Sequence, residues 1–177
     1  MNSYIFTSEN LGFRNWKASD LDELYRLNSN TEVMRFFPST ATKEQCEQFI
    51  LRMQKQLETH QFCYFATEKK ETQEFIGFVG LSLQTYKADF NPSTDIGWRL
   101  LPDFWGNGYA TEGAKRCLSY GFETLKLPEI VSVAPSINIP SIKVMEKIGM
   151  QKASTFNHPL LKEYPNLESC VLYKIKQ

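Results

Sequence analysis

The stretch Leu100-Leu101-Pro102-Asp103-Phe104-Trp105-Gly106-Asn107-Gly108-Tyr109-Ala110-Thr111-Glu112 governs the reading of the whole chain. An apolar run stops at Pro102, which has no N–H to give to a sheet ladder. Two glycines follow in a short loop, and a helical pattern starts behind them. Gly106 and Gly108 lack Cβ atoms, so the backbone can turn tightly there and lie close to a ligand. The first N–H groups of a helix have no partner within it and point into that same space. Together they form a concave site for anions, phosphates above all, although a plain turn before a helix uses glycines in the same way. The Walker pattern GxxxxGK[ST] is absent, and Thr111 stands where the dinucleotide pattern GxGxxG needs its third glycine.

Outward from the loop, helix and strand patterns interleave, which predicts a mixed α/β layer structure. Residues 94–101 form the strand that feeds the loop. After it, Ala114, Cys117, Leu118, Gly121, Phe122 and Leu125 recur at helical spacing, and Pro128 closes the segment. Residues 129–134 read as a short buried strand. Pro140 suits the first turn of another helix, with Ser141, Val144, Met145 and Ile148 on one face and Gly149 as its C-terminal cap. Upstream, 11–16 can be a first strand, Ser19-Asp20-Leu21-Asp22 has the form of a helix start, and Thr42 with Gln45 makes a capping box for a helix whose apolar face runs from Cys46 to Leu57. Residues 62–67 and 75–84 are aromatic and β-branched, separated by polar residues, and predict a hairpin. Residues 151–156 and 169–175 close the chain as strands.

The chain has 177 residues, enough for one domain with its own core, and it shows no repeat or linker, so 1–177 is read as a single domain. With 42% hydrophobic and 14% aromatic residues it is not a disordered chain. Twenty basic and twenty acidic residues balance, which argues against a nucleic-acid partner held mainly through phosphates. No apolar run has membrane-spanning length, and Met1-Asn2-Ser3-Tyr4 lacks the basic-then-apolar start of a leader, so the expected setting is the cytoplasm, with no membrane partner. Cys46, Cys63, Cys117 and Cys170 are widely spaced, and His60 and His158 are the two histidines, so neither a metal site nor a disulfide framework is expected.

The segment 103–110 resembles the acyl-CoA loop of the GNAT N-acetyltransferases, and Trp105-Gly106-Asn107-Gly108-Tyr109-Ala110-Thr111-Glu112 is similar to the branch of the ribosomal-protein alanine N-acetyltransferases. Asp95-Ile96-Gly97-Trp98-Arg99-Leu100 just before the loop, and Asn138-Ile139-Pro140-Ser141 leading to Glu146-Lys147-Ile148-Gly149-Met150 after it, resemble the same branch. The likeness implies a mostly antiparallel mixed sheet with helices on both faces and one splayed parallel strand pair, formed by 94–101 and 129–134. It implies acetyl-CoA as acetyl donor and a primary amine as acceptor, either a protein N-terminus or a small molecule, in a monomer or homodimer.

Two departures stand out. The family pattern [Q/R]xxGxG/A has Asp103 at its first position here, so backbone amides must carry the phosphates. Many relatives have a tyrosine seven residues after the asparagine, as proton donor to the leaving thiolate; that position is Met145. A non-catalytic acyl-CoA sensor is therefore the rival to an N-acetyltransferase, with an ATP-binding domain third.

What the resemblance implies for single residues follows. Leu100 and Leu101 would offer unpaired backbone groups to the pantetheine. The amides of Trp105, Gly106, Asn107, Gly108, Tyr109, Ala110 and Thr111 would hold the pyrophosphate. Asn138 is either a pantetheine partner or a helix N-cap. Ser141 is placed near the leaving sulfur, or else is a first-turn serine bonded to backbone. Asp95 matches an acidic position and is the candidate base, or else a strand-edge carboxylate in an ion pair. Lys143 and Arg116 are candidates for the adenosine 3′-phosphate or are solvated helix charges. Phe36, Phe37, Tyr86 and His158 belong to an acceptor cleft, or else to ordinary core and surface.

Overall fold

The computed structural model describes residues 3–177; Met1 and Asn2, where the leader reading begins, lie outside the described residues. In chain order the elements are β1 (Phe6–Thr7), β2 (Leu11–Arg14), α1 (Leu21–Asn28), α2 (Lys43–His60), β3 (Tyr64–Lys69), β4 (Phe75–Gln84), β5 (Ser93–Leu100), α3 (Tyr109–Ser119), β6 (Glu129–Pro135), α4 (Ile139–Lys147), β7 (Gln151–Asn157), α5 (Pro165–Glu168) and β8 (Ser169–Lys176). The strands form one sheet in the order β1-β2-β3-β4-β5-β6-β8-β7. Every neighbouring pair is antiparallel except β5 and β6, which are parallel.

Local chemistry explains most boundaries. The Thr42–Gln45 capping box forms in both directions and starts α2. Asn138 caps α4, its Oδ1 accepting from Ser141 N–H at 3.2 Å. The Ser19-Asp20-Leu21-Asp22 start falls where α1 begins. A 3₁₀ turn, Ala18–Asp20, precedes α1, and α1 itself has no side-chain cap. The Asp20 carboxylate accepts from Lys17 N–H at 2.7 Å, which boxes that turn, and from the Arg14 guanidinium at 2.7 and 2.8 Å, in a buried cluster with Glu68. α3 is shorter than its periodicity predicts, because Tyr120–Thr124 widens into a π turn before the chain enters β6.

The two faces of the sheet carry different helices. Phe49 of α2 lies 5.2 Å from Phe78 and 6.5 Å from Tyr64, so α1 and α2 cover the face bearing Tyr64, Phe78, Asp95 and Arg99. Gly113 of α3 sits against Val79 and Leu11 on the opposite face, and Gly121 sits against Ile130 and Leu81. Period-two alternation along β5 therefore separates Ile96, Trp98 and Leu100 from Asp95, Gly97 and Arg99.

Candidate active site

The site begins where the β5–β6 ladder stops. Asp95 pairs with Val131, and no further pairing joins the two strands. Continued pairing would have Ile96 C=O accept from the backbone of β6. It accepts instead from Ser132 Oγ at 3.0 Å, so a side chain ends the ladder. On the other side β5 is paired with β4 along its whole length, and β6 with β8. Leu101 N–H donates to Ile76 O at 2.9 Å, which fixes the register. In that register the backbone groups of Trp98 and Leu100 face away from β4, into the gap.

Two adjoining cavities of about 380 and about 420 Å³ occupy this region, sharing Phe36, Phe37, Trp98, Arg99, Asn138 and Ser141 as a common wall. The larger runs along the glycine loop past Gly106, Gly108, Tyr109, Ala110 and Thr111. Gly106 and Gly108 have φ of +75° and +78°, the left-handed region that favours glycine, and a Cβ built on either meets nothing within 4 Å. No side chain caps α3. The loop is thus an open cradle of backbone donors, and a pyrophosphate fits it. Trp105 holds the cradle in place: its Nε1–H donates to Leu100 O at 2.8 Å, which takes that carbonyl out of the gap.

The residues expected at this cavity divide. Leu100 and Trp105 line it with the loop residues above, but the Trp105 N–H is already given to Pro102 O at 3.0 Å and is not free for a phosphate. Leu101 is buried, with its N–H given to β4. Asn107 is exposed and folds its amide back onto Trp105 O. Lys143 is exposed and outside the lining, whereas Lys147, one helical turn on, lines the cavity together with Arg35. Arg116 is far from it, bonded to Thr7 O and stacked on Phe6. Glu112 accepts from Ser8 and Asn10 and ties the β1–β2 turn to α3.

The second cavity lies on the α1–α2 side. Asp95 stands in its wall and forms no ion pair among the described residues; its Oδ1 accepts from Tyr64 Oη at 2.7 Å and from Gln84 Nε2 at 3.2 Å. Tyr64 crosses from β3 over Gly97, where a Cβ would come within 3.0 Å of the ring. Burial raises the Asp95 carboxyl from 3.8 to about 6, against the opposing pull of the two donors. Tyr86, pushed up to about 12 by burial, lies 4.3 Å from the His158 ring at a 35° tilt, and burial lowers that imidazole. Phe36, Phe37, Tyr86 and His158 thus all stand in cavity walls, and Met145 is buried in the same wall. Asn138 and Ser141 line both cavities, Asn138 with its carbonyl already spent on the α4 cap.

Sequence reading passed over Tyr64, Gln84, Arg99, Arg35 and Lys147. Parity gave a signal for Arg99, four residues after Asp95 on one strand face. Helical spacing gave one for Lys147, four residues after Lys143.

Comparison with known proteins agrees with this geometry. Residues 10–151 match the family described as Acetyltransferase (GNAT) domain. The uncharacterized N-acetyltransferase YnaD of Bacillus subtilis is 28% identical over 150 residues, covering 85% of this chain and 84% of that protein. A GNAT-family acetyltransferase from Bacillus anthracis has a TM-score of 0.79 at 25% identity, over 96% of both chains. A spermidine N-acetyltransferase from Vibrio cholerae, in complex with CoA and spermine, has a TM-score of 0.75 at 20% identity, covering 95% of this chain and 96% of that one; this is a likeness of fold.

Proposed function

Because the chain belongs to the GNAT acetyltransferase family, we propose that it moves an acetyl group from acetyl-CoA directly onto a primary amine, a protein N-terminus or a small molecule. The observation that carries this reading is the β5–β6 ladder that ends after one bridge, with an open glycine cradle at one side of the gap and a partly buried carboxylate at the other.

Acetyl-CoA supplies the thioester. In this reading the N–H groups from Gly106 to Thr111 hold its diphosphate, with Arg35 and Lys147 as outer cations. The backbone of Trp98 and the N–H of Leu100, which face the gap, align the pantetheine, which turns a two-body collision into an oriented attack. Asp95, with its pKa near 6, is a carboxylate at neutral pH and takes the proton of the attacking amine, directly or through one water. Tyr64 and Gln84 fix that carboxylate in place. A thiol titrates near ~8.5, so the departing thiolate needs little help. Ser141 Oγ can supply a hydrogen bond there, which suits a wall where Met145 stands in place of a tyrosine.

The acceptor class is finer than family membership defines. The Trp105–Glu112 segment leans toward the ribosomal-protein alanine branch, whereas the spermidine enzyme carries a polyamine site on the same fold. The reading takes 1–177 as one domain at work in the cytoplasm, where acetyl-CoA and the four buried thiols of this chain are compatible. The test is incubation with acetyl-CoA and an amine panel, read by mass spectrometry as a gain of about 42 Da, one acetyl replacing hydrogen. CoA binding without any transfer would replace the enzyme by an acyl-CoA sensor.

A further inference from the structure

Two arginines, Arg14 buried and Arg99 partly buried, are held in opposite ways. Arg14 is enclosed by carboxylates: Asp20 takes both Nη atoms, and Glu68 takes Nε at 2.5 Å. Arg99 has no carboxylate partner among the described residues. Its Nη1 donates to the neutral Asn28 Oδ1 at 2.7 Å, and its Nε is sealed from solvent with nothing to donate to. The guanidinium lies over Phe37 at 4.2 Å and Phe78 at 5.1 Å, in the wall common to both cavities and on the same face of β5 as Asp95. A partly buried cation with no counter-charge is costly unless an anion meets it. Two aromatic faces and one amide offset only part of that cost.

We infer that Arg99 receives a carboxylate of the acceptor, so that the acceptor is an amine that also carries a carboxylate, as an amino acid does. The inference rests on the transferase reading for the word acceptor, and on the geometry of Arg99 for the carboxylate. A guanidinium binds a carboxylate by charge-assisted hydrogen bonds, and with Nη1 on Asn28 and Nε sealed, Nη2 is the donor left to meet it. The same cation repels polyamines, which sets this cleft apart from a polyamine site on the same fold. The coenzyme's own phosphates are the competing source of negative charge, since Arg99 touches both cavities.

The test is calorimetry on the CoA-loaded protein with the twenty common amino acids, and with the carboxamide of each one that binds. The expected result is at least one amino acid that binds about tenfold or more tightly than its amide. Arg99→Met should bring that ratio to within about twofold while CoA affinity stays within about threefold. This variant leaves no buried carboxylate behind, and Arg99→Lys, which keeps the charge, should retain part of the preference. Spermidine should not bind the wild-type cleft. The inference is overturned if no amino acid binds, if amides bind equally, or if the preference survives Arg99→Met. It is also overturned if that variant loses CoA affinity tenfold instead, which would assign Arg99 to the coenzyme. Acid-over-amide discrimination without acetyl transfer would sink the transferase reading and leave the carboxylate site standing.

Discussion

Tyr64 on β3 donates to Asp95 on β5 at 2.7 Å, reaching across β4 because Gly97 leaves room under its ring. The bond opposes the desolvation that drives the carboxyl up to about 6. A base at that value is ionised at neutral pH and retains some affinity for a proton.

The first prediction concerns the pH profile. Only the Asp95 carboxylate takes a proton, so kcat/KM should rise with pH through about 6 and then level. Asp95→Asn should abolish that limb and lower turnover by about 100-fold or more. Stability should move the other way. The folded carboxyl binds its proton more tightly than the unfolded one, so the wild type loses stability as pH rises from 3.8 to about 6. Calorimetric unfolding at about pH 4 and about pH 7.5 should show the variant gaining on the wild type at the higher pH. An unchanged limb would leave Asp95 structural.

Tyr64→Phe removes a donor that holds the Asp95 carboxyl down. The limb should shift to higher pH, and activity just above pH 6 should fall while the plateau is largely kept. The ring still stacks on Phe78 at 5.5 Å, so stability should change by only about 1 kcal/mol. A limb that stays in place would mean that Gln84 alone sets the carboxyl.

Regular elements were largely legible, because local chemistry makes them. The β4 span 75–84 agrees with its aromatic and β-branched run, and the α2 capping box forms as written. Asp20 shows the opposite case: its carboxylate boxes the 3₁₀ turn and also binds the Arg14 guanidinium, a second role that no local pattern carries. β1 is two residues long and carries no period of its own. The glycine cradle was legible because it is one contiguous segment. The Tyr64–Gln84–Asp95 group was not, because three strands bring it together and only the register shows that these side chains share a face.

Gly106→Val tests the cradle. The left-handed φ of +75° resists a β-branched side chain, at about 1–2 kcal/mol of stability. Nothing in the chain blocks the new atoms, so the fold should survive. The side chain should instead fill the space left for phosphate, and calorimetry should find CoA affinity reduced at least about tenfold. Unchanged affinity in a folded variant would remove the loop from the site.

Ser141→Ala separates catalysis from binding. Ser141 lines both cavities, and its backbone N–H, which donates to the Asn138 cap of α4, is retained in the variant. Turnover should drop several-fold, about 1 kcal/mol in the barrier, while CoA affinity stays near wild type. Equal losses in both would make Ser141 a general binding contact.

Arg14→Met should be the most damaging of these changes, although Arg14 touches neither cavity. It strands the carboxylates of Asp20 and Glu68, which are 7% and 3% exposed, with their shared cation gone. Breaking a buried pair from one side costs about 3–5 kcal/mol, and denaturant unfolding should show a loss of that order. Arg99→Met, which strands no carboxylate, should cost far less in the same assay. The fraction of Arg14→Met that stays folded should bind CoA as the wild type does. A loss below about 1 kcal/mol would mean that water reaches the two acids once the guanidinium is removed.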